Sequence, residues 1–420
     1  ASQQVTTELM QAKLLRAALS ERQLQEVLTD FWFNHFNVFI GKGPDRYLVT
    51  GYERDAIRPH VFGKFKEMLV ATAKSPAMLF YLDNWQSVGP NSQLARNQPL
   101  RNRFAQRRRQ QGAAQPQQQP PRGLNENYAR ELMELHTLGV DSGYTQKDIT
   151  EVARVFSGWT IDQPRRGGGF IYRPAMHDPG AKTVLGKRIS DSGEKEGMQV
   201  LEMLARHPST ARFISTKLAQ RFVSDDPAPA LVARMAKTFL ANDGDLREVY
   251  RAMLRSPEFW EPAAYRAKVK TPLEFVASSI RASGAEVTSF MPLIRSLESM
   301  GMPLYGAQPP TGYSAKSEAW VNSAALLSRM NFGLALAAGR LPGVNLNPQT
   351  LLPSDDGASA SAALDQLGTT LLAGDLSSQT RATIERQLQN PAALASAAES
   401  AQKLNLLTGL ILGSPEFQRR

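Results

Sequence analysis

The stretch Leu24-Gln25-Glu26-Val27-Leu28-Thr29-Asp30-Phe31-Trp32-Phe33-Asn34-His35-Phe36-Asn37-Val38 carries the clearest period in the chain. Leu24, Leu28, Phe31, His35 and Val38 recur at helical spacing, while Glu26, Asp30, Asn34 and Asn37 fall on the other side. Ser20 and Gln23 in front of it resemble a capping box, so the pattern predicts a helix that starts there and runs toward Phe39. The same period returns over residues 59–72, 76–81 and 124–138, and in a helix opened by Thr145 and Asp148 toward Trp159. It continues through residues 194–206, 209–223, 230–240, 246–254 and 317–336. Between Gly167 and Ile189 it breaks. Phe170-Ile171-Tyr172 and His177-Asp178-Pro179-Gly180 there suggest an irregular loop with at most a short β-hairpin. The expected fold class is mostly α, a large multi-helical array with irregular loops. Residues 1–343 are expected to form the main helical domain, and the Ala/Ser/Leu-rich residues 344–420 a set of small helices packing on it.

Composition narrows the function. With 420 residues, 42% hydrophobic and 21% charged, the chain is globular, and collagen-like, disordered and coiled-coil classes are excluded. No apolar run reaches the roughly 18–20 residues of a membrane-spanning helix, and Ala1-Ser2-Gln3-Gln4 does not open a secretory signal. Cysteine is absent, which rules out disulfides, zinc–thiolate sites, iron–sulfur clusters and thiol nucleophiles. The formal net charge is +10, but seven arginines lie between Arg96 and Arg122, where there is no acid. This insertion, about 96–122, is Gln/Pro-rich and carries Phe104 as its aromatic, whereas single-strand binders interleave aromatics with cations. No nucleic-acid partner is therefore expected. The segment reads as a flexible solvated loop that folding can spare.

The segment from Leu124 to Gly139 is the most unusual. Asn127, Glu131 and Glu134 share one stripe with Leu138, while Glu126 and Arg130 lie on a second, and Asn125 and His136 on a third. Polar groups thus flank the apolar Leu124, Tyr128 and Leu135 stripe on both sides. Such a helix suits either a polar cavity or a surface with Glu126–Arg130 and Arg130–Glu134 ion pairs. His177-Asp178, in a Gly/Pro-rich loop, is the histidine pair expected to be exposed. His35, in the middle of its helix's apolar face, reads first as a satisfied core histidine. No His-x-x-x-His or Glu-x-x-His spacing occurs, so neither a metal nor a cofactor is expected. Glu318, Asn322 and Arg329 form a polar stripe on the late helix, and Pro309-Pro310-Thr311-Gly312-Tyr313 could present Tyr313 and Trp320 as a stacking wall.

Phe31 to Phe36, Leu124 to Thr145, Val155 to Thr160, His177-Asp178 with Gly180, His207 to Phe213, and Pro309 to Tyr313 with Trp320 resemble the bacterial family catalogued as domain of unknown function 1800. The resemblance covers most of the chain. It implies an exported protein, periplasmic or secreted, with a further N-terminal portion before Ala1 and a sulfatase-like exported partner protein. It implies no activity. With the polar helix, it points to Glu131, Glu134, His177 and Asp178 as catalytic groups. Asn127, Arg130, His136, His35, Tyr313, Trp320, Asn322 and Arg329 are then expected around a substrate. Two of these carboxylates could serve as the acid and base of a glycoside-hydrolase-like reaction on a glycan or other envelope polymer. The alternative is a non-catalytic helical scaffold that binds an envelope partner.

Overall fold

The aromatic stretch makes the helix its period predicts, but a shorter one. In the computed structural model, which describes residues 2–97, 123–140, 142–352, 359–388 and 400–420, the helix spans Gln23–His35. Ser20 makes no capping box: its hydroxyl accepts from Arg22 N (3.0 Å), and its carbonyl accepts from Gln23 Nε2 (2.6 Å). A local turn has taken the capping group. The helix stops at His35: Phe36 leaves helical geometry (φ −101°, ψ 51°) while its N–H still donates to the Trp32 carbonyl, and Phe36, Asn37 and Val38 are all buried. Trp32 and Phe36, both 0% exposed, stack near Phe65, and the Trp32 indole donates to the Tyr250 hydroxyl (2.7 Å). Burying such rings contributes roughly 1.5–3 kcal/mol each.

Helices build the rest. Gln146–Phe156 begins with the expected Thr145–Asp148 capping box and ends before Trp159, which opens a strand. Glu194–Ala205, Pro208–Phe222, Pro229–Ala241 and Leu246–Leu254 follow the sequence pattern closely. The late helix splits into a 3-10 turn at Ser317–Trp320 and an α-helix at Ser323–Ala337. Strands are short and form three antiparallel pairs among the described residues, so the fold is predominantly α-helical. Two hairpins occupy the region where one was expected: Trp159–Ile161 with Phe170–Tyr172, and Lys182–Val184 with Lys187–Ile189. The second turns through Leu185 and Gly186, both at positive φ (49° and 74°), the geometry of a tight two-residue hairpin. Leucine is a poor signal for that turn.

One hydrophobic cluster runs from Leu9 to Phe417. Val344 pairs with Val287, an isolated bridge joins Val269 to Arg419, and the Ser400–Leu412 helix packs on Ser323–Ala337. The C-terminal residues are thus stitched into the same core. Among the described residues no helix is long and apolar enough to cross a membrane. Most of the basic insertion, residues 98–122, lies outside the described residues.

Candidate functional site

His177 and Asp178 are buried, at 6% and 0% exposure, which corrects the expected exposed pair. The Asp178 carboxylate accepts from Arg154 Nε (2.8 Å) and from Asn91 N (2.9 Å), and its own N donates to Ser157 Oγ (2.8 Å). Gly89 permits this: a Cβ there would lie 2.4 Å from the Asp178 Cβ. His177 Nδ1 lies 2.8 Å from the Ser157 carbonyl, and its Nε2 faces Glu196 Oε1 at 3.2 Å. Lys182 closes the network, with its ammonium 2.7 Å from Glu196 Oε2 and 3.3 Å from His177 Nε2. His177, Asp191 and Glu196 bring ligand atoms within 4.8 Å of one another, as a metal would require. The Lys182 ammonium already supplies the cation at the Glu196–His177 side of that group. The loop is polar because it is a buried joint.

Glu131 and Glu134 project from a helix spanning Glu126–Glu134, and both are half-buried. Neither surface ion pair forms. Glu126 accepts from Gln146 Nε2 (2.7 Å) and Thr150 Oγ1 (2.8 Å), and Arg130 donates to Gln146 Oε1 (2.8 Å). Burial, and then the neighbouring Glu134 charge, raise the Glu131 carboxyl above its usual range against the pull of Arg130. Asn127 is exposed. No hydrogen bond or ion pair among the described residues joins Glu131 or Glu134 to His177 or Asp178.

The Pro309–Tyr313 segment is positioned by asparagines that the helical pattern put on the outside. Asn34 clasps Tyr313 with both ends of its amide, donating to Tyr313 O (2.7 Å) and accepting from Tyr313 N (2.6 Å). A Cβ on Gly312 would sit 2.3 Å from Asn34 O, so the segment can lie this close only with glycine there. Asn37 donates to the Ala307 and Pro309 carbonyls, both at 2.9 Å. The Tyr313 and Trp320 rings lie beside one another, with centroids 5.9 Å apart, and Trp320 is buried, its indole donating to the Ser314 carbonyl (2.9 Å). Asn322 instead caps the Ser323–Ala337 helix by accepting from Ala325 N (2.8 Å), and Glu318 belongs to the separate turn, so the expected late-helix stripe does not exist. Arg329, 0% exposed, donates to Lys270 O (2.8 Å) and covers Phe275, a core role.

Behind the Asn34–Tyr313 clasp lies a chamber of about 280 Å³, lined by His35 and Lys217 and rimmed by exposed Thr311, Ser314 and Lys316. A second, of about 260 Å³, lies beyond a wall shared by Asp30, Arg221 and Arg420, and Lys270 lines it. A third, wider depression of about 540 Å³ sits between Tyr47, Tyr52 and Pro76. Neither Glu131 and Glu134 nor His177 and Asp178 line any of the three.

Two lysines of the adjoining chambers differ from the other buried cations. The fully buried lysines each meet a carboxylate: Lys13 with Asp30, Lys182 with Glu196, Lys268 with Asp225. On the shared wall, Arg221 and Arg420 both pair with Glu274; burial pushes that carboxyl up, but the two guanidiniums outweigh it and hold it down to about 2. Lys217 and Lys270 have no carboxylate within ion-pair distance among the described residues. The Lys217 ammonium lies over the Phe213 ring (5.5 Å) and that of Lys270 over Phe417 (4.0 Å). Burial pulls both amines down to about 8. His35 and His136 stand beside Lys217 as neutral imidazoles: burial, reinforced by Lys217, drops His136 to about 3 and His35 well below its ordinary value. His35 Nε2 donates to the His136 carbonyl (3.1 Å), and the His136 Nε2 has no protein partner. Sequence reasoning reached His35 and Tyr313 but missed Lys217, Lys270 and the wall between them. A lysine on an amphipathic helix carries no mark that distinguishes a cavity from solvent.

Fold and site together define a helical protein with a pair of adjoining chambers, lined by apolar surface and by charged side chains of both signs, built between the Gln23–His35 helix, the Pro208–Phe222 helix and the C-terminal residues. The chain belongs to the family described as protein of unknown function (DUF1800), whose model matches residues 1–419, as the quoted motifs imply. Comparison with curated proteins and with solved structures returned no match.

Proposed function

We propose that the chain binds an anionic ligand, an acidic segment of a glycan or other cell-envelope polymer, in the two adjoining chambers. The observation that carries this is the pair of half-buried ammonium groups, Lys217 and Lys270, that face the chambers with no carboxylate within ion-pair distance among the described residues; Glu274, already shared by Arg221 and Arg420, offsets the burial of Lys270 only in part. A bound carboxylate or sulfate would supply the charge partner that burial denies these ammonium groups, and that interaction becomes binding energy. Each chamber alone falls just under the roughly 300–1,000 Å³ of small-molecule pockets, which suits one unit of a polymer. An exported setting, periplasmic or secreted, goes with this ligand, and acidic side chains of a sulfatase-like exported protein are the alternative occupant.

Calorimetry with sulfated, carboxylated and neutral oligosaccharides tests it. Acidic ligands should bind and neutral ones should not, with affinity falling as salt rises. The Lys217→Gln/Lys270→Gln double variant should lose at least about ten-fold in affinity, roughly 1.4 kcal/mol. Equal binding of neutral oligosaccharides, or an unaffected double variant, defeats the proposal.

The hydrolase reading keeps one supporting observation, the raised carboxyl of Glu131 beside Glu134. Its acid and base would have to come from a single helix, whereas glycoside hydrolases place theirs on either side of the bond, roughly 5–9.5 Å apart. Loss of glycan turnover in Glu131→Gln with an unchanged melt would favour it.

A further inference from the structure

Lys217 has more unusual surroundings than anion binding alone requires. Its amine lines a chamber of about 280 Å³ with an exposed rim, so a small molecule can reach it. The groups facing it are the Phe213 ring and two imidazoles, His35 and His136, which carry no charge near neutral pH. The remaining ionisable groups of the chamber are Asp30, which is bound to Lys13 (2.8 Å), Arg221 and Arg420, which are bound to Glu274, the exposed Lys316, and Tyr313, whose hydroxyl donates to the Pro303 carbonyl and is pushed up to about 12 by burial. Nothing in the chamber thus offers the amine a fixed counter-charge. The cations on its far wall could hold an acid group while the amine meets another part of the same molecule.

We infer that Lys217 is a covalent attachment point, its Nζ adding to the carbonyl carbon of a small oxo acid held in this chamber. The neutral amine's lone pair forms the N–C bond as the carbonyl π pair moves to oxygen, and a proton passes from nitrogen to that oxygen to give a carbinolamine. The hydroxyl then leaves with a further proton as water, and the C=N bond of an imine remains. One water is released, no oxidant or reductant is needed, and hydrolysis reverses the step. Burial assists, because an amine at about 8 has roughly 300-fold more free base at pH 7 than an ordinary lysine. The acid-group half of the assignment rests on the anion-binding reading, while the imine half rests on Lys217 alone.

The test is reductive trapping of the wild-type protein with cyanoborohydride at pH 7, using glyoxylate in one arm and propionaldehyde in the other, with labelled peptides quantified by mass spectrometry. Lys217 should be labelled at least about ten-fold faster than exposed Lys147 and Lys195, and faster by glyoxylate than by propionaldehyde. Its labelling should level off above about pH 8, while that of exposed lysines keeps rising. Selective labelling by both reagents at equal rates would sustain the imine and overturn the acid-binding wall. Labelling of Lys217 no faster than the exposed lysines would overturn the imine, even if sulfate or glyoxylate still raises the melting temperature.

Discussion

Asp45 gives a stability experiment whose size follows from the structure. It opens the short helix Asp45–Gly51, is 0% exposed, and neither carboxyl oxygen meets a protein donor. Lys42, the cation that acts on it, is committed to Asp83 (2.8 Å) and the Tyr81 carbonyl (2.5 Å). Burial therefore raises the Asp45 pKa to about 9, with Asp83 adding to the rise and Lys42 opposing it. In the unfolded chain the same carboxyl ionises near 3.8. The folded state thus holds a proton that the unfolded state has released, and stability falls as pH rises through that window, levelling only above about 9. At about 1.36 kcal/mol per pH unit, the loss between pH 5 and pH 8 is about 4 kcal/mol, a large part of a typical domain's stability. Asp45→Asn keeps the shape and removes the titration. Denaturant unfolding at both pH values should show the variant gaining on the wild type by several kcal/mol as pH rises. If the two stay parallel within about 1 kcal/mol, Asp45 is either solvated or paired and the reasoning fails.

Three further outcomes are expected. Asp178→Asn should cost about 3–5 kcal/mol by leaving Arg154 short of its buried partner, seen as a lower denaturation midpoint, while oligosaccharide affinity per folded molecule stays the same. Wild-type protein dialysed against zinc should bind less than one equivalent at His177, Asp191 and Glu196. Lys182→Ala, which frees the Glu196–His177 side of that group, should take up more by elemental analysis; an unchanged zinc content in a folded variant would count against this account of Lys182. Asn34→Ala removes both hydrogen bonds that clasp Tyr313 and should cost about 1–3 kcal/mol, with faster amide exchange at Tyr313 as the local readout.

How much was legible depended on whether the signal was local. The helical period of residues 24–38, the Thr145–Asp148 capping box and the absence of cysteine all act within a few residues, and they were enough for the fold class, most helices and the excluded chemistries. The family motifs likewise marked where the chain is unusual: Asn34, His35, Tyr313, His177 and Asp178 all have roles tied to burial or to the chamber. What those roles are was decided only by tertiary contact. A His-Asp pair in a Gly/Pro-rich loop looks exposed until Arg154, Lys182 and Glu196, from a different strand and helices, close over it. Asn34 and Asn37 look solvent-facing until the segment at 307–313 packs back and uses their amides in place of water. The chambers had no sequence signature at all, because Lys217, Lys270, Asp30, Arg221 and Arg420 are scattered from the Gln23–His35 helix to the last residues and meet only when the C-terminal residues return to the core. Local chemistry determines which elements form. A charged side chain's surroundings, and so its pKa and its reactivity, belong to the packing that surrounds it.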